Sequence, residues 1–62
     1  MGARYFRDGI GCTASIKPRR DGYRLVLRNP YGGVIVRRDY RSYEGARSAL
    51  GKYTAGSSKE VF

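Results

Sequence analysis

The sequence predicts an α+β domain, a three-stranded antiparallel sheet with one C-terminal helix packed on one face, in the order β-β-β-α. Three observations carry this. Residues 12–17 and 23–28 alternate apolar with polar or basic side chains, the two-residue period of a strand with one buried face. Asp21-Gly22 and Asn29-Pro30-Tyr31-Gly32-Gly33 hold turn chemistry at the strand ends. From Tyr43 onward the apolar residues change to helical spacing.

Residues 1–11 mix Tyr5, Phe6 and Ile10 with glycines and charges and keep neither period, so they read as an irregular N-terminal arm. Tyr5 and Phe6 are expected to fold back as a lid on the core, while Arg4 and Arg7 could instead reach along a ligand. The folded domain is expected over residues 12–53. Its first strand, Cys12 to Lys17, turns Cys12, Ala14 and Ile16 one way and Thr13, Ser15 and Lys17 the other. Cys12 is then a small buried hydrophobe, since no histidine is present to activate its thiol. Pro18 is expected to terminate the strand, with Arg19 and Arg20 at the hairpin tip.

The second strand, Tyr23 to Arg28, places Tyr23, Leu25 and Leu27 in the core and Arg24, Val26 and Arg28 on the open face. Free of proline and glycine inside, it suits the central position. The third strand, Val34 to Tyr40, has two registers available, and a slip of one residue exchanges its faces. A three-residue loop pairs Leu27 with Ile35 and sets Arg24 opposite Arg38. A four-residue loop pairs Leu27 with Val36, Tyr23 with Tyr40 and Arg24 with Asp39. The second is preferred because it joins apolar to apolar and cation to anion. Ser42 is the expected N-cap, Glu44 suits the first helical turn, and Tyr43, Ala46, Ala49, Leu50 and Tyr53 form the apolar stripe. Gly45 and Gly51 each cost roughly 1 kcal/mol against alanine, so this helix depends on packing. Residues 54–62 have the composition of a flexible tail.

At 62 residues the chain supports one small core. One cysteine and no histidine leave neither an internal disulfide nor a Cys/His zinc set. The five acids, Asp8, Asp21, Asp39, Glu44 and Glu60, are scattered, with no pairing that suggests acid–base catalysis. Neither a phosphate-binding loop nor a dinucleotide fingerprint is present. The expectation is a chain that is no enzyme and has no catalytic, metal or cofactor site, no small-molecule substrate and no membrane partner. With no apolar run of signal-peptide or membrane-spanning length, it reads as cytoplasmic.

Charge is the strongest compositional signal. Thirteen lysines and arginines against five acids give a net charge of +8 and a pI near 10.3. From Lys17 to Arg41 eight basic residues stand against Asp21 and Asp39, so most of the excess lies in and beside the second hairpin. Ten of the cations are arginine, which forks onto phosphates and guanine edges where lysine is a point charge. The candidate nucleic-acid-binding residues are therefore Lys17, Arg24, Arg28 and Arg37 on the open face, with Arg19 and Arg20 as phosphate contacts at the tip. Double-stranded DNA is the favoured partner over RNA, and a merely solvated basic face is the alternative. Stacking of single strands on the six tyrosines is less favoured, because Tyr23, Tyr40, Tyr43 and Tyr53 fall on core faces and Tyr31 alone looks free.

Two families resemble this pattern. Tyr23-Arg24-Leu25, Tyr31-Gly32-Gly33, Val34-Ile35-Val36, Tyr40-Arg41-Ser42 and the helical Ala46 are similar to the YegP-like domain family over roughly residues 13–53. Tyr31 stands where that family has asparagine, and Gly33 where it has an acid. This resemblance implies tandem or dimeric sheet packing, and hence a homodimeric or protein-interaction module with no specific nucleic-acid role. The order of strands, the Asp21-Gly22 turn and the alanine-containing helix also resemble the arm-type, three-stranded DNA-binding domain of tyrosine integrases, which implies a DNA-reading face at Arg24, Arg28 and Arg37.

Overall fold

The computed structural model describes residues 2–54 and 59–61. The chain is an α+β fold with a larger sheet than expected. Strands β1 (Arg4–Arg7), β2 (Thr13–Arg19), β3 (Gly22–Arg28), β4 (Val34–Tyr40) and β5 (Lys59–Glu60) and helix α1 (Tyr43–Tyr53) build one antiparallel sheet in the order β4-β3-β2-β1-β5, with α1 against one side.

The supposed arm is thus partly a strand. Arg4 pairs with Ile16 and Arg7 with Thr13, which turns Phe6 inward, 2% exposed, and Tyr5 outward. Part of the expected tail is a strand too: Glu60 lies opposite Phe6 and Lys59 opposite Arg7. Residues 55–58 and 62 of that tail lie outside the described residues. β1 is tied to its surroundings through its polar groups as well. Arg4 Nη1 donates to Glu60 Oε2 at 2.9 Å, and its guanidinium carbon sits 5.5 Å from the centre of the Tyr43 ring. Arg47 reaches from the helix to lie 5.0 Å over Phe6, closing the core where β1 runs out from under α1.

The core is Phe6, Ala14, Ile16, Leu25, Leu27, Ala46 and Leu50, with Cys12, Tyr23, Val36, Tyr40, Tyr43 and Ala49 packed around it. β3 is internal as expected, and the preferred register of β4 holds, with Leu27 opposite Val36, Arg24 opposite Asp39 and Tyr23 opposite Tyr40. A bulge after Leu27 brings Arg28 opposite Val34, so the strand absorbs one extra residue at the turn without losing that register. Burying a full-sized apolar side chain contributes roughly 1.5–3 kcal/mol, so a core of this size leaves little reserve.

Two turn expectations change in detail. Pro18 does not end β2; it pairs with Tyr23 inside the strand. β1 reaches only to Arg4, opposite Ile16, so beyond that point β2 is an edge, where a missing N–H is tolerated. The turn between β2 and β3 is Arg20-Asp21, and Gly22 already belongs to β3. A Cβ on Gly22 would lie 2.1 Å from the Tyr40 carbonyl oxygen, so glycine is required there by the close approach of β4. Ser42 caps α1, its Oγ accepting from Gly45 N at 3.0 Å, and Thr54 closes the other end onto the Leu50 carbonyl. Ala46 and Leu50 are buried as expected, whereas Tyr53, at the end of the stripe, is 47% exposed.

Candidate nucleic-acid interface

Side chains alternate across a strand, so the pairing register decides what shares the uncovered side of the sheet. Starting from Lys59 opposite Arg7, the pairs Arg7–Thr13, Thr13–Arg28 and Arg28–Val34 run as one row from β5 to β4. The next row is Tyr5, Ser15, Val26 and Arg37. The third is Lys17, Arg24 and Asp39, and Arg19 follows at the end of β2.

Five of the six expected contact residues are therefore gathered on one face: Lys17, Arg19, Arg24, Arg28 and Arg37. The sixth, Arg20, sits in the turn at its margin. Lys17 and Arg24 are direct cross-strand partners, a like-charge apposition that a sheet accepts at some cost. Arg7 and Lys59 join the face through β1 and β5; sequence reading places Arg7 only on an irregular arm reaching along a ligand and leaves Lys59 in the tail. The signal available was the acid-free run of small polar and apolar residues on β2, whose first-strand side away from β3 needed a neighbour.

Acids are segregated from this face. Among the described residues Asp39 is its one carboxylate, and it is engaged: Arg24 Nε donates to Asp39 Oδ1 at 2.7 Å and Arg24 Nη2 to Oδ2 at 3.2 Å. These bonds hold the Asp39 carboxyl below the ordinary aspartate value and raise the Arg24 guanidinium further, with Arg19 and Arg37 adding to the pull on Asp39. Asp8 lies in the β1–β2 loop, Asp21 in the β2–β3 turn and Glu44 on the helix, while Glu60 turns to Arg4 on the helix side. The face thus joins seven cations to one paired anion.

Its middle is not charged. Tyr5, Thr13, Ser15, Val26 and Val61 line a shallow concavity of about 300 Å³, rimmed by Arg7, Lys17 and Arg28. The small side chains of Thr13 and Ser15 and the two valines leave room for an approaching surface, and the long basic side chains stand around them. Arg28 Nη1 also donates to the Gly32 carbonyl at 3.2 Å, which fixes it beside the β3–β4 turn.

Cys12 is half-buried, and its thiol is pushed up by that burial first and by the neighbouring Asp8 carboxylate second. The expected buried hydrophobe is thus only partly buried, packed against the edge of the core. No described helix is long and apolar enough to cross a membrane.

Comparison with protein-family models, with curated proteins and with solved structures finds no match to this chain.

Proposed function

We propose that this chain is a small nucleic-acid-binding module of the cytoplasm that holds double-stranded DNA against the open face of its sheet, without catalysis. The observation that carries the reading is the segregation of charge: Arg7, Lys17, Arg19, Arg24, Arg28, Arg37 and Lys59 share one face with Asp39 alone. Such a field raises the local concentration of a polyanion, and each phosphate neutralised releases counterions.

Dimensions support a duplex. β1 and β4 are three strand spacings apart, about 14 Å at 4.7–4.9 Å per spacing, slightly more than the roughly 12 Å width of the major groove. Cations on β1 and β4 would meet phosphates on its two sides, and the long Lys17 and Arg28 side chains of β2 and β3 would reach into the groove between them. Arg20 at the turn would add a phosphate contact that positions without specifying.

The rival reading is a self-associating or protein-binding module that uses Val26 and Ile35 or an edge strand. Ile35 is 53% exposed and Val34 51%, which gives that reading its apolar surface. Arg37 and Arg38 on β4 weigh against edge-to-edge pairing of two copies, since like charges would oppose each other along the seam.

The test is binding of the purified chain to labelled duplex DNA, duplex RNA and single strands over a range of salt, with light scattering on the same samples. The expected result is duplex binding whose logarithmic salt slope corresponds to about four to six neutralised phosphates, lost in a Lys17→Glu, Arg37→Glu double variant, which spares the Arg24–Asp39 pair, with the circular dichroism spectrum unchanged. Weak binding that ignores nucleic-acid type and disappears by about 150 mM salt, together with a dimer in the scattering, would transfer the assignment to the rival.

A further inference from the structure

The two loops at one end of the sheet carry the most exposed large apolar side chains of the described chain. Tyr31 in the β3–β4 turn is 95% exposed and Ile10 in the β1–β2 loop 78%. Thr13 pairs with Arg28, so both loops leave the sheet at the same end. They run close together: a Cβ added at Gly11 would lie 3.4 Å from Cγ of Pro30.

Both loops are pinned from within. Asn29 Oδ1 accepts from Tyr31 N and from Gly33 N, each at 2.9 Å, and Gly32 N donates to the Asn29 carbonyl at 3.0 Å. Gly32 supplies the positive φ of 92° that this turn needs. On the other loop Asp8 Oδ1 accepts from Ile10 N at 3.0 Å and Cys12 N at 2.9 Å. A tyrosine held out into water on a preorganised turn has already lost much of the backbone freedom that binding would otherwise remove. Its surroundings are cationic. Arg28 is bonded into the same turn through Gly32, and Arg7 stands at the root of the other loop.

We propose that this end of the sheet is a base-stacking site, in which the Tyr31 ring takes up one extruded nucleobase of a duplex held on the basic face and Ile10 packs beside it. The proposal rests on the nucleic-acid reading above and adds a preference to it: a duplex with an unpaired base is held more tightly than a fully paired one. The charge of Arg7 and Arg28 selects the anionic backbone next to the ring, and every base offers a π-face to stack on.

The test compares a short DNA duplex carrying one bulged base with the same duplex fully paired. The wild-type chain should prefer the bulged duplex, and Tyr31→Ala should reduce affinity for it by about fivefold or more while affinity for the paired duplex and its salt slope stay unchanged. The chain has no tryptophan, so a Tyr31→Trp variant carries a single reporter whose fluorescence should be quenched by the bulged duplex and not by the paired one. No preference in the wild type, or an equal loss on both duplexes in Tyr31→Ala, overturns the stacking site. If the paired duplex still binds through Lys17 and Arg37 in that case, the sheet-face reading stands alone. If the Tyr31-dependent preference survives reversal of Lys17 and Arg37, which lie on the open face away from the Tyr31 turn, the stacking site stands and the sheet-face reading fails. Binding to neither duplex removes both.

Discussion

Arg24 and Asp39 face each other across β3 and β4 in a two-point contact, Nε to Oδ1 at 2.7 Å and Nη2 to Oδ2 at 3.2 Å. This pair does two things at once. It selects the register of β4, because a one-residue slip would set Arg24 against another arginine. It also withholds one arginine of the open face from a ligand for as long as Asp39 is ionised. Replacement Asp39→Asn frees Arg24 and removes the one negative charge of the face, so duplex affinity at low salt should rise by about threefold to tenfold and the salt slope should steepen by about one. A loss of affinity would instead make Asp39 a positioning group for Arg24 in the bound state.

The same pair has a pH signature. Hydrogen bonding from Arg24 depresses the Asp39 carboxyl below its ordinary value of 3.8, against the weaker opposing effect of burial. With the folded-state pKa the lower one, the contribution of ionised Asp39 to stability is fully present above the unfolded-state value near 3.8 and is lost as pH falls through the folded value. The contribution of Asp39 should therefore be constant with pH between about pH 5 and 7 and should begin to fall below about pH 4. A carboxyl NMR titration reads this directly. In Arg24→Gln the Asp39 midpoint should move back up, and an unmoved midpoint would mean that the contact does not persist in solution.

Gly22 and Gly32 both have positive φ, 154° and 92°, yet they should respond differently to alanine. At Gly22 the added methyl group meets the Tyr40 carbonyl oxygen, whereas at Gly32 it meets open space. Gly32→Ala should lose about 1–2 kcal/mol, the cost of the left-handed backbone alone. Gly22→Ala adds a forced shift of β4 and should lose about 2–4 kcal/mol. Urea unfolding of the two variants separates them, and equal losses would show that the β3–β4 end is free to relax.

The parts of the fold that were legible in the sequence are those where side-chain chemistry speaks locally. Leu25 and Leu27 alternate with Arg24 and Arg28, Ser42 precedes an apolar helical stripe, and the Arg24–Asp39 and Leu27–Val36 pairs favour one register over the other. β1 was not legible because Arg4-Tyr5-Phe6-Arg7 places two aromatics side by side, which hides the alternation: Phe6 goes to the core and Tyr5 to the open face. β5 has two residues and draws its partner from the far end of the chain, so no local period can announce it. Pro18 misled because an edge position, the one setting in which a strand accepts proline, is defined by where β1 ends. The candidate face inherited these gaps: its β2, β3 and β4 members were readable, Arg7 was readable only as part of an arm and not as a strand residue of that face, and Lys59 was not readable.

With β1 paired to β2, Phe6 is a core residue and not a movable lid. Its side chain is 2% exposed beneath Arg47. Phe6→Ala should cost about 3–5 kcal/mol, a loss comparable to the whole stability expected of a single core this small. Tyr5→Ala, on the open face, should leave the melting temperature nearly unchanged. Thermal unfolding followed by circular dichroism checks both, and a small loss at Phe6 would return residues 4–7 to the status of an arm.

Position, and not net charge alone, should govern binding, and Arg7 provides the decisive comparison. Arg7→Glu and Lys52→Glu change the net charge equally, but Arg7 stands in the row with Arg28 on the open face, while Lys52 lies in the last turn of the helix on the opposite side. Long-range attraction is screened over a Debye length of about 8 Å at physiological salt, so at that salt Lys52→Glu should change duplex affinity by less than about twofold. Arg7→Glu loses a contact and adds repulsion next to phosphates, and should weaken binding by about tenfold or more with a salt slope reduced by about one. The experiment is a pair of salt titrations with one labelled duplex. Equal effects from the two reversals would mean that the chain attracts DNA as a uniformly charged particle, and the open face would lose its claim to be the interface.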